Sequence, residues 1–188
     1  MKHLIFSTGN SQKLGIGQSV CVDYAITLQQ NELAIDEIQS EDTAYVARRK
    51  AEAAYALLKQ PVIISDDAWS IHGLNGFPGT YAKSVNTWFS TDDYIRLTRD
   101  LTDRRISLFQ TLVYQDHDVQ QLFIRESLGV LLPEPRGERG APIQKIASFE
   151  PDGVTSISEK MADKTHYSGE QTLLVWHDFA QWYTERQQ

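Results

Sequence analysis

The sequence is poor in cysteine, in basic residues and in long apolar runs. Cys21 is the only cysteine, so no disulfide can form within the chain, and a reducing compartment fits this composition. The apolar run from Met1 to Phe6 is too short for a signal peptide, and no stretch approaches the ~20 apolar residues of a membrane span. We therefore expect a soluble cytoplasmic protein that does not enter a membrane.

Acidic residues outnumber basic ones by 25 to 18, which gives a net charge of -7. A general nucleic-acid binder presents a basic surface, so we do not expect nucleic acid as a partner. Any phosphate ligand must then be held by a few local cations or by a metal ion. The length of 188 residues and the 41% hydrophobic content suit one domain with a sizeable core.

Helical and extended patterns alternate along the first half of the chain, and a hairpin follows. Alanines at three- and four-residue steps predict a helix from Asp42 to Lys59, with Ser40 or Asp42 as its cap and Pro61 after its end. The other predicted elements are strands at His3–Thr8, Tyr24–Leu28 and Val62–Ser65, a helix from Ser11 weakened by Gly15 and Gly17, a helix behind Ser90–Asp93, hairpin strands Ile106–Tyr114 and Val119–Val130, and a last helix Ser168–Arg186. This order predicts an α/β fold with a mixed β-sheet flanked by helices.

Two adjacent acids, Asp66 and Asp67, follow a short apolar run and precede a glycine-rich turn in the stretch SDDAWSIHGLNGFPGT. Adjacent carboxylates repel each other, and a metal ion bound between them usually offsets this repulsion. Since successive strand residues point to opposite faces, a shared site needs a twist at the strand end. One acid could hold a metal while the other deprotonates water. Turn formation by aspartate explains the same pattern equally well.

The segment Ser7–Lys13 lies at the junction of the first predicted strand and helix. A helix start offers free backbone N–H groups and a positive dipole end, which suits a phosphate. Gly9 permits close backbone approach, and Lys13 can reach back over the turn. From the residues alone an ordinary capped turn with a solvated lysine is slightly favoured, because the segment is not a Walker loop.

Two further segments could contribute charge near a ligand. Gly73–Lys83 forms a compact turn, and Lys164–Tyr167 places a lysine and a histidine before the final helix. A purely structural loop explains the first segment at least as well. A solvent-exposed stretch that leads into the final helix explains the second at least as well.

Taken in order, these segments resemble the inosine triphosphate pyrophosphatase (ITPase) family. STGNSQK is similar to the family start T-G-N-x-x-K, and DDAWSIHGLNGFPGTY to its acid-Asp pair followed by L-x-G-x-P-G-x-Y. RRKAEAA falls at the end of the family's E-N-A-x-x-K-A helix motif, FEPDG matches F-x-P-D-G, and THY stands where the family has S-H-R. The resemblance implies a single domain over residues 1–188, an elongated fold of two lobes with a cleft, and a homodimer. It also implies hydrolysis of a nucleoside triphosphate to the monophosphate and pyrophosphate with Mg²⁺, for which Mn²⁺ could substitute.

The resemblance also implies roles for individual residues. Asp67 would activate the attacking water at the α-phosphorus, and Asp66 and Asp67 would hold the metal ion. The substrate-binding residues would be Ser7, Thr8, Asn10, Lys13, Lys50, Lys83, Lys164, His166 and Tyr167.

Three departures from the family pattern affect the metal and the base. Tyr45 replaces the glutamate of E-N-A-x-x-K-A, and a phenol is a poor Mg²⁺ ligand. Glu41 and Asp42, four and three residues earlier, could substitute if the helix extends that far. The family has a segment in which an aromatic residue and an aspartate bind the purine base. The corresponding segment here is Ile143–Ala147, which contains neither of these residue types. In addition, Tyr167 replaces the arginine of S-H-R.

These departures leave alternatives to a metal-dependent pyrophosphatase with an altered base preference. A nucleotide-binding protein or sensor that has lost turnover is the second hypothesis. A structural subunit is the third, because fold resemblance alone does not establish function.

Overall fold

The computed structural model describes residues 2–36, 38–161 and 170–186. Seven strands lie in these ranges: β1 Lys2–Ser7, β2 Ile26–Asn31, β3 Val62–Ile71, β4 Pro78–Gly79, β5 Arg105–Gln115, β6 Gln120–Leu131 and β7 Ala147–Ser148. The α-helices are α1 Ser11–Cys21, α2 Thr43–Leu58, α3 Ala82–Trp88, α4 Thr91–Thr98, α5 Ile157–Lys160 and α6 Leu174–Arg186. Single 3₁₀ turns occupy Val22–Tyr24, His72–Leu74, Pro142–Lys145 and Glu170–Leu173.

The strands form one mixed sheet in the order β2-β1-β3-β5-β6-β7, with β4 paired to β3. β1 is parallel to both β2 and β3, whereas β4 and β7 are antiparallel to their partners. The predicted mixed α/β fold is therefore confirmed. No helix in the described ranges is long and apolar enough to cross a membrane.

The helix predicted from the alanine spacing forms where that spacing placed it. Asp42 is the N-cap of α2, and its side chain accepts a hydrogen bond from the Tyr45 backbone N–H. Lys59 then adopts a left-handed conformation with φ 54°, which ends the helix two residues before Pro61. The predicted cap of the Ser90 cluster is also present, as a capping box between Ser90 and Asp93.

Helix α1 forms although Gly17 lowers its intrinsic stability. A Cβ at Gly17 would lie 2.6 Å from the ring of Trp176 and 2.8 Å from Leu28 Cδ1. Only glycine permits this close approach of α1 to α6 and β2. Of the two glycines that weakened the helix prediction, Gly17 is thus the one that packing requires.

Several boundaries differ from the predictions. β3 continues to Ile71 rather than ending at Ser65, β2 begins at Ile26, and α6 begins at Leu174 after a 3₁₀ turn. The predicted positions 168 and 169 of the last helix lie outside the described residues.

The chain divides into two compact units, each built from separated segments. The first contains Met1–Asp67, Gln110–Arg125 and Leu173–Gln188, and the second contains Ala68–Phe109 and Glu126–Thr172. In the first unit, one apolar core joins the sheet to α1 and α6, and a smaller one joins it to α2. The second unit has its own core around Trp69, Tyr94 and Ile143.

Candidate active site

The loop after β1 is held by its own side chains. Asn10 caps α1, and its Oδ1 accepts hydrogen bonds from the backbone N–H groups of Gln12 at 2.9 Å and Lys13 at 3.2 Å. The Thr8 hydroxyl oxygen accepts a hydrogen bond from the Asn10 N–H at 3.1 Å. The capped turn that the residues alone favoured is therefore present, and Thr8 and Asn10 fix its shape.

The same loop is tied to the end of β2. The Thr8 N–H donates to the Asn31 carbonyl at 3.2 Å, and the Gln30 amide donates to the Thr8 carbonyl at 3.0 Å. Glu32 lies so close that a Cβ at Gly9 would come within 2.4 Å of its Oε1. No motif pointed to Glu32, but the carboxyl ends of two parallel strands meet at one sheet edge, which brings this carboxylate to the loop.

Asp66 and Asp67 lie within β3, and their expected position at the carboxyl end of a strand is wrong. Ile64 is the last β3 residue paired with β1, opposite Ser7. Asp66 and Asp67 therefore come just after the residue of β3 that lies opposite the end of β1, where the loop to α1 begins. This places them beside a strand end, although it is the end of β1 and not of their own strand.

The regular strand divides the two acids between the faces of the sheet. Ile63 packs in the core with α1 and α6, whereas Val62 and Ile64 pack in the core with α2. Because side chains alternate along a strand, Asp67 shares the face of Ile63 and Asp66 shares the face of Ile64.

A lysine in the first turn of α1 forms an ion pair with Asp67. Lys13 Nζ lies 3.1 Å from Asp67 Oδ2, and the two side chains are only 25% and 28% exposed. Lys13 is thus not the solvated lysine of the ordinary-turn hypothesis. The pair joins the first turn of α1 to β3 at the carboxylate that the family pattern assigns to water activation.

The other predicted phosphate contacts occupy different surroundings. Ser7 ends β1 and is buried, and its position in the alternation puts it on the face of Asp66. Lys50 is partly buried on α2 in the first unit. Lys83 is exposed in the first turn of α3 in the second unit.

Glu41 does not occupy the position from which it was expected to replace the missing glutamate. α2 begins at Thr43 with Asp42 as its cap, so Glu41 precedes the helix. The four-residue spacing to Tyr45 therefore does not place the two side chains on one helical face. Tyr45 itself is 50% exposed.

The segment expected to contact the base belongs largely to a core. Ile143, Ile146 and Ala147 are fully buried in the second unit, so their side chains present no surface to a base. Gln144 Oε1 accepts a hydrogen bond from the Ala141 N–H at 2.8 Å and closes the local turn. Lys145, in the same segment, is partly buried.

The FEPDG motif forms a turn in this chain. Asp152 accepts hydrogen bonds from the Thr155 hydroxyl and from the backbone N–H groups of Val154 and Thr155, and these bonds lower the pKa of its carboxyl to about 2. Gly153 adopts φ 64°, which favours glycine. The motif therefore has a structural explanation within its own unit.

Lys164, His166 and Tyr167 lie outside the described residues, and their predicted roles stay predictions. Among the residues that the structure describes, no three His, Cys, Asp or Glu side chains gather closely enough to hold a metal ion by themselves.

Residues 4–168 match the Ham1 family. The chain belongs to the Ham1 family. Among its relatives, a dITP/XTP pyrophosphatase of Methanopyrus kandleri is 27% identical over 181 residues, covering 96% of this chain and 95% of that protein. Inosine triphosphate pyrophosphatase 2 of Trypanosoma cruzi is 31% identical over 172 residues, covering 89% of this chain and 86% of that protein. These names confirm the family identified from the motifs.

The Ham1 fold is also found among solved structures. A HAM1 protein from Coxiella burnetii superposes with a TM-score of 0.77 at 19% identity, covering 98% of this chain and all of that one. The Ham1 protein of Staphylococcus aureus gives a TM-score of 0.72 at 18% identity over 96% of this chain and 98% of that one. At this identity the likeness establishes the fold alone.

Proposed function

We propose that this chain hydrolyses nucleoside triphosphates to the monophosphate and pyrophosphate. The observation that carries the proposal is the ion pair between Lys13 and Asp67, whose Nζ and Oδ2 atoms lie 3.1 Å apart. It joins the N-terminus of α1, which Asn10 of the preceding loop caps, to a partly buried carboxylate on β3. A carboxylate next to a lysine on such a loop provides a base and a phosphate-binding cation together. Relatives named dITP/XTP and inosine triphosphate pyrophosphatases support the same reaction.

In the proposed reaction, a water oxygen forms a bond to the α-phosphorus. The bond from the α-phosphorus to the bridging oxygen breaks, and pyrophosphate leaves with that electron pair. Asp67 takes the proton released from the water. Lys13 holds the Asp67 carboxylate in place and supplies positive charge at the phosphates, where positioning and electrostatics account for most of the rate.

A divalent cation fits the residues present. Mg²⁺ is commonly bound through one or two carboxylates together with substrate phosphates and water, so a site with few acidic side chains is compatible with it. Since Asp66 and Asp67 point to opposite faces of β3, a single ion would take its carboxylate from one of them and its other ligands from phosphate and water. Mn²⁺ accepts the same oxygen ligands. The bound ion would neutralise phosphate charge. The position of Glu41 outside the helix gives no support to its inclusion.

The substrates proposed are purine triphosphates, with inosine and xanthosine triphosphates first, since these or their deoxy forms appear in the relatives' names. The altered base preference expected from Ile143–Ala147 no longer has that support, because most of the segment is core. The replacement of arginine by Tyr167 is the remaining reason to propose it. We also propose that the chain acts as a homodimer.

Pyrophosphate release from inosine, xanthosine, adenosine and guanosine triphosphates tests the proposal, with Mg²⁺ or Mn²⁺ present. We expect turnover by the natural chain and a loss of about 10²-fold or more in Asp67→Asn, because an amide cannot take the proton. Asp118→Asn, a change in the exposed turn of the β5–β6 hairpin, is the matched control and should stay active. Equal rates for Asp67→Asn and the natural chain would remove Asp67 from the mechanism.

The sensor hypothesis also has an observation in its favour, since Asp67 Oδ2 is paired with the Lys13 ammonium. A sensor would bind the same triphosphates without releasing pyrophosphate. Binding measured by calorimetry next to the release assay separates the two hypotheses, because only the enzyme consumes its ligand.

A further inference from the structure

A carboxylate lies against the glycine of the loop after β1. A Cβ placed on Gly9 would lie 2.4 Å from Glu32 Oε1, 2.7 Å from its Cδ and 3.3 Å from its Oε2, so the three nearest atoms all belong to this carboxylate. Among the described residues, the Glu32 carboxylate forms no ion pair and accepts no hydrogen bond. Its oxygens therefore remain open to water or to a ligand.

The position of Glu32 is set by the sheet. β1 and β2 are parallel, and Ser7 at the end of β1 lies opposite Asn31 at the end of β2. The Thr8 N–H donates to the Asn31 carbonyl at 3.2 Å, and the Gln30 amide donates to the Thr8 carbonyl at 3.0 Å. These two hydrogen bonds hold the first residue after β2 beside the loop that leads to α1.

Glu32 borders the same loop as the candidate base. Lys13 follows this loop in the first turn of α1, and its Nζ lies 3.1 Å from Asp67 Oδ2. All three residues belong to the first unit. In the proposed reaction the α-phosphate lies at Asp67, and the ribose is bonded to that phosphate through its 5′-oxygen. The ribose is therefore the part of the nucleoside closest to the loop.

Chemical complementarity favours the ribose over the phosphates as the partner of Glu32. An ionised carboxylate accepts hydrogen bonds but donates none, and phosphate oxygens also only accept. Ribose hydroxyls can donate. Dinucleotide-binding folds use an acidic side chain in this way: it lies about 20 residues after the glycine-rich turn that follows the first strand, and it binds the ribose 2′-hydroxyl. Glu32 lies 23 positions after Gly9 and at the end of the neighbouring parallel strand.

We infer that Glu32 accepts a hydrogen bond from the ribose 2′-hydroxyl of the bound nucleotide, an inference that rests on the proposed function. Glu32 is then a residue that determines specificity for the sugar. The chain prefers ribonucleoside triphosphates over their 2′-deoxy forms, because only the former donate this hydrogen bond.

Comparison of inosine triphosphate with 2′-deoxyinosine triphosphate isolates the 2′-hydroxyl, since the two nucleotides have the same base and phosphates. We expect kcat/KM of the natural chain to favour the ribonucleotide by about tenfold, as for a hydrogen bond to a charged but solvent-exposed group. The difference should lie in KM and not in kcat, because the hydroxyl is not part of the reacting bond.

Two substitutions of Glu32 separate its charge from its role as an acceptor. Glu32→Ala removes the acceptor, so the ratio of the two kcat/KM values should fall to within about twofold of one. Glu32→Gln keeps a neutral acceptor oxygen, and we expect an intermediate ratio of about threefold. Asp23→Ala is the matched control, because Asp23 is an exposed carboxylate of the same unit that precedes the opposite end of β2. It should keep the ratio of the natural chain.

A metal ligand would give a different pattern. Loss of a carboxylate ligand would raise the Mg²⁺ concentration needed for the half-maximal rate with both nucleotides alike, and their ratio would not change. That pattern, or equal ratios for Glu32→Ala and the natural chain, would overturn the inference and leave the proposed function standing. If the natural chain releases no pyrophosphate from either nucleotide, the proposed function fails by itself. The ratio of the two Kd values, measured by calorimetry on the same variants, then decides the inference by the same criteria.

Discussion

Arg104 provides a stability prediction whose size can be worked out from its contacts. Its guanidinium donates hydrogen bonds to three backbone carbonyls, those of Thr98 at 3.0 Å, Leu131 at 3.0 Å and Leu132 at 2.9 Å. Arg104→Met keeps the apolar stem and removes all three donors. At a net value of about 1 kcal/mol for each bond, the free energy of unfolding should fall by about 3 kcal/mol.

Urea denaturation followed by circular dichroism measures this loss. The midpoint should move down by about 1–3 M while the slope stays constant, since the surface exposed on unfolding is unchanged. Arg99→Met is the matched control: Arg99 is 68% exposed, and among the described residues its side chain pairs only with its neighbour Asp100, at 3.3 Å. Such a pair contributes little, so that variant should stay within about 0.5 kcal/mol of the natural chain. If the two arginine variants have the same stability, the three carbonyl contacts do not stabilise the fold as reasoned.

Three further predictions concern packing, pH and chemical reactivity. Gly17→Ala should lower the unfolding free energy by about 1–2 kcal/mol in the same urea assay, because overpacking against the buried Trp176 exceeds the gain in helix propensity of about 1 kcal/mol. For Asp116, burial raises the pKa, but hydrogen bonds from a tyrosine hydroxyl, two backbone N–H groups and Arg186 outweigh it, so the folded-state pKa is lowered. The stability from this group is then present above the unfolded pKa and lost as the pH falls below about 4, and Asp116→Asn should flatten that part of the stability–pH curve. Burial raises the pKa of the Cys21 thiol to about 12, so iodoacetamide at pH 8 should label it only after unfolding; rapid labelling of the folded protein would contradict its burial.

The elements that the sequence predicts well are those whose signals are local. α2 has regular alanine spacing, an aspartate cap and a proline beyond its end, and each signal points to the same boundary. The hairpin is specified in the same way, since Asp116 Oδ1 accepts hydrogen bonds from the N–H groups of Asp118 and Val119 within the turn. No tertiary contact is needed to recognise either feature.

The errors occur where distant parts of the chain decide. Aspartate disfavours strands, so the local pattern ended β3 before Asp66, whereas pairing within the sheet carries the strand through both acids. Glu32 belongs to no motif. It lies beside the loop after β1 because β2 is the neighbour of β1, and a single sequence does not reveal which strands are neighbours.

The division of the chain into interleaved segments has a consequence for the order in which the protein can fold during synthesis. The core of the first unit contains Leu4 and Phe6 from the start of the chain together with Trp176 and Phe179 from α6. The second unit, in contrast, is complete in sequence at Thr172. A chain emerging from the ribosome can therefore complete the second unit first, while the apolar face of β1 is covered by α1 but not yet by α6. Closure over so long a sequence separation is slow, so the nascent chain is most prone to aggregate just before α6 is made.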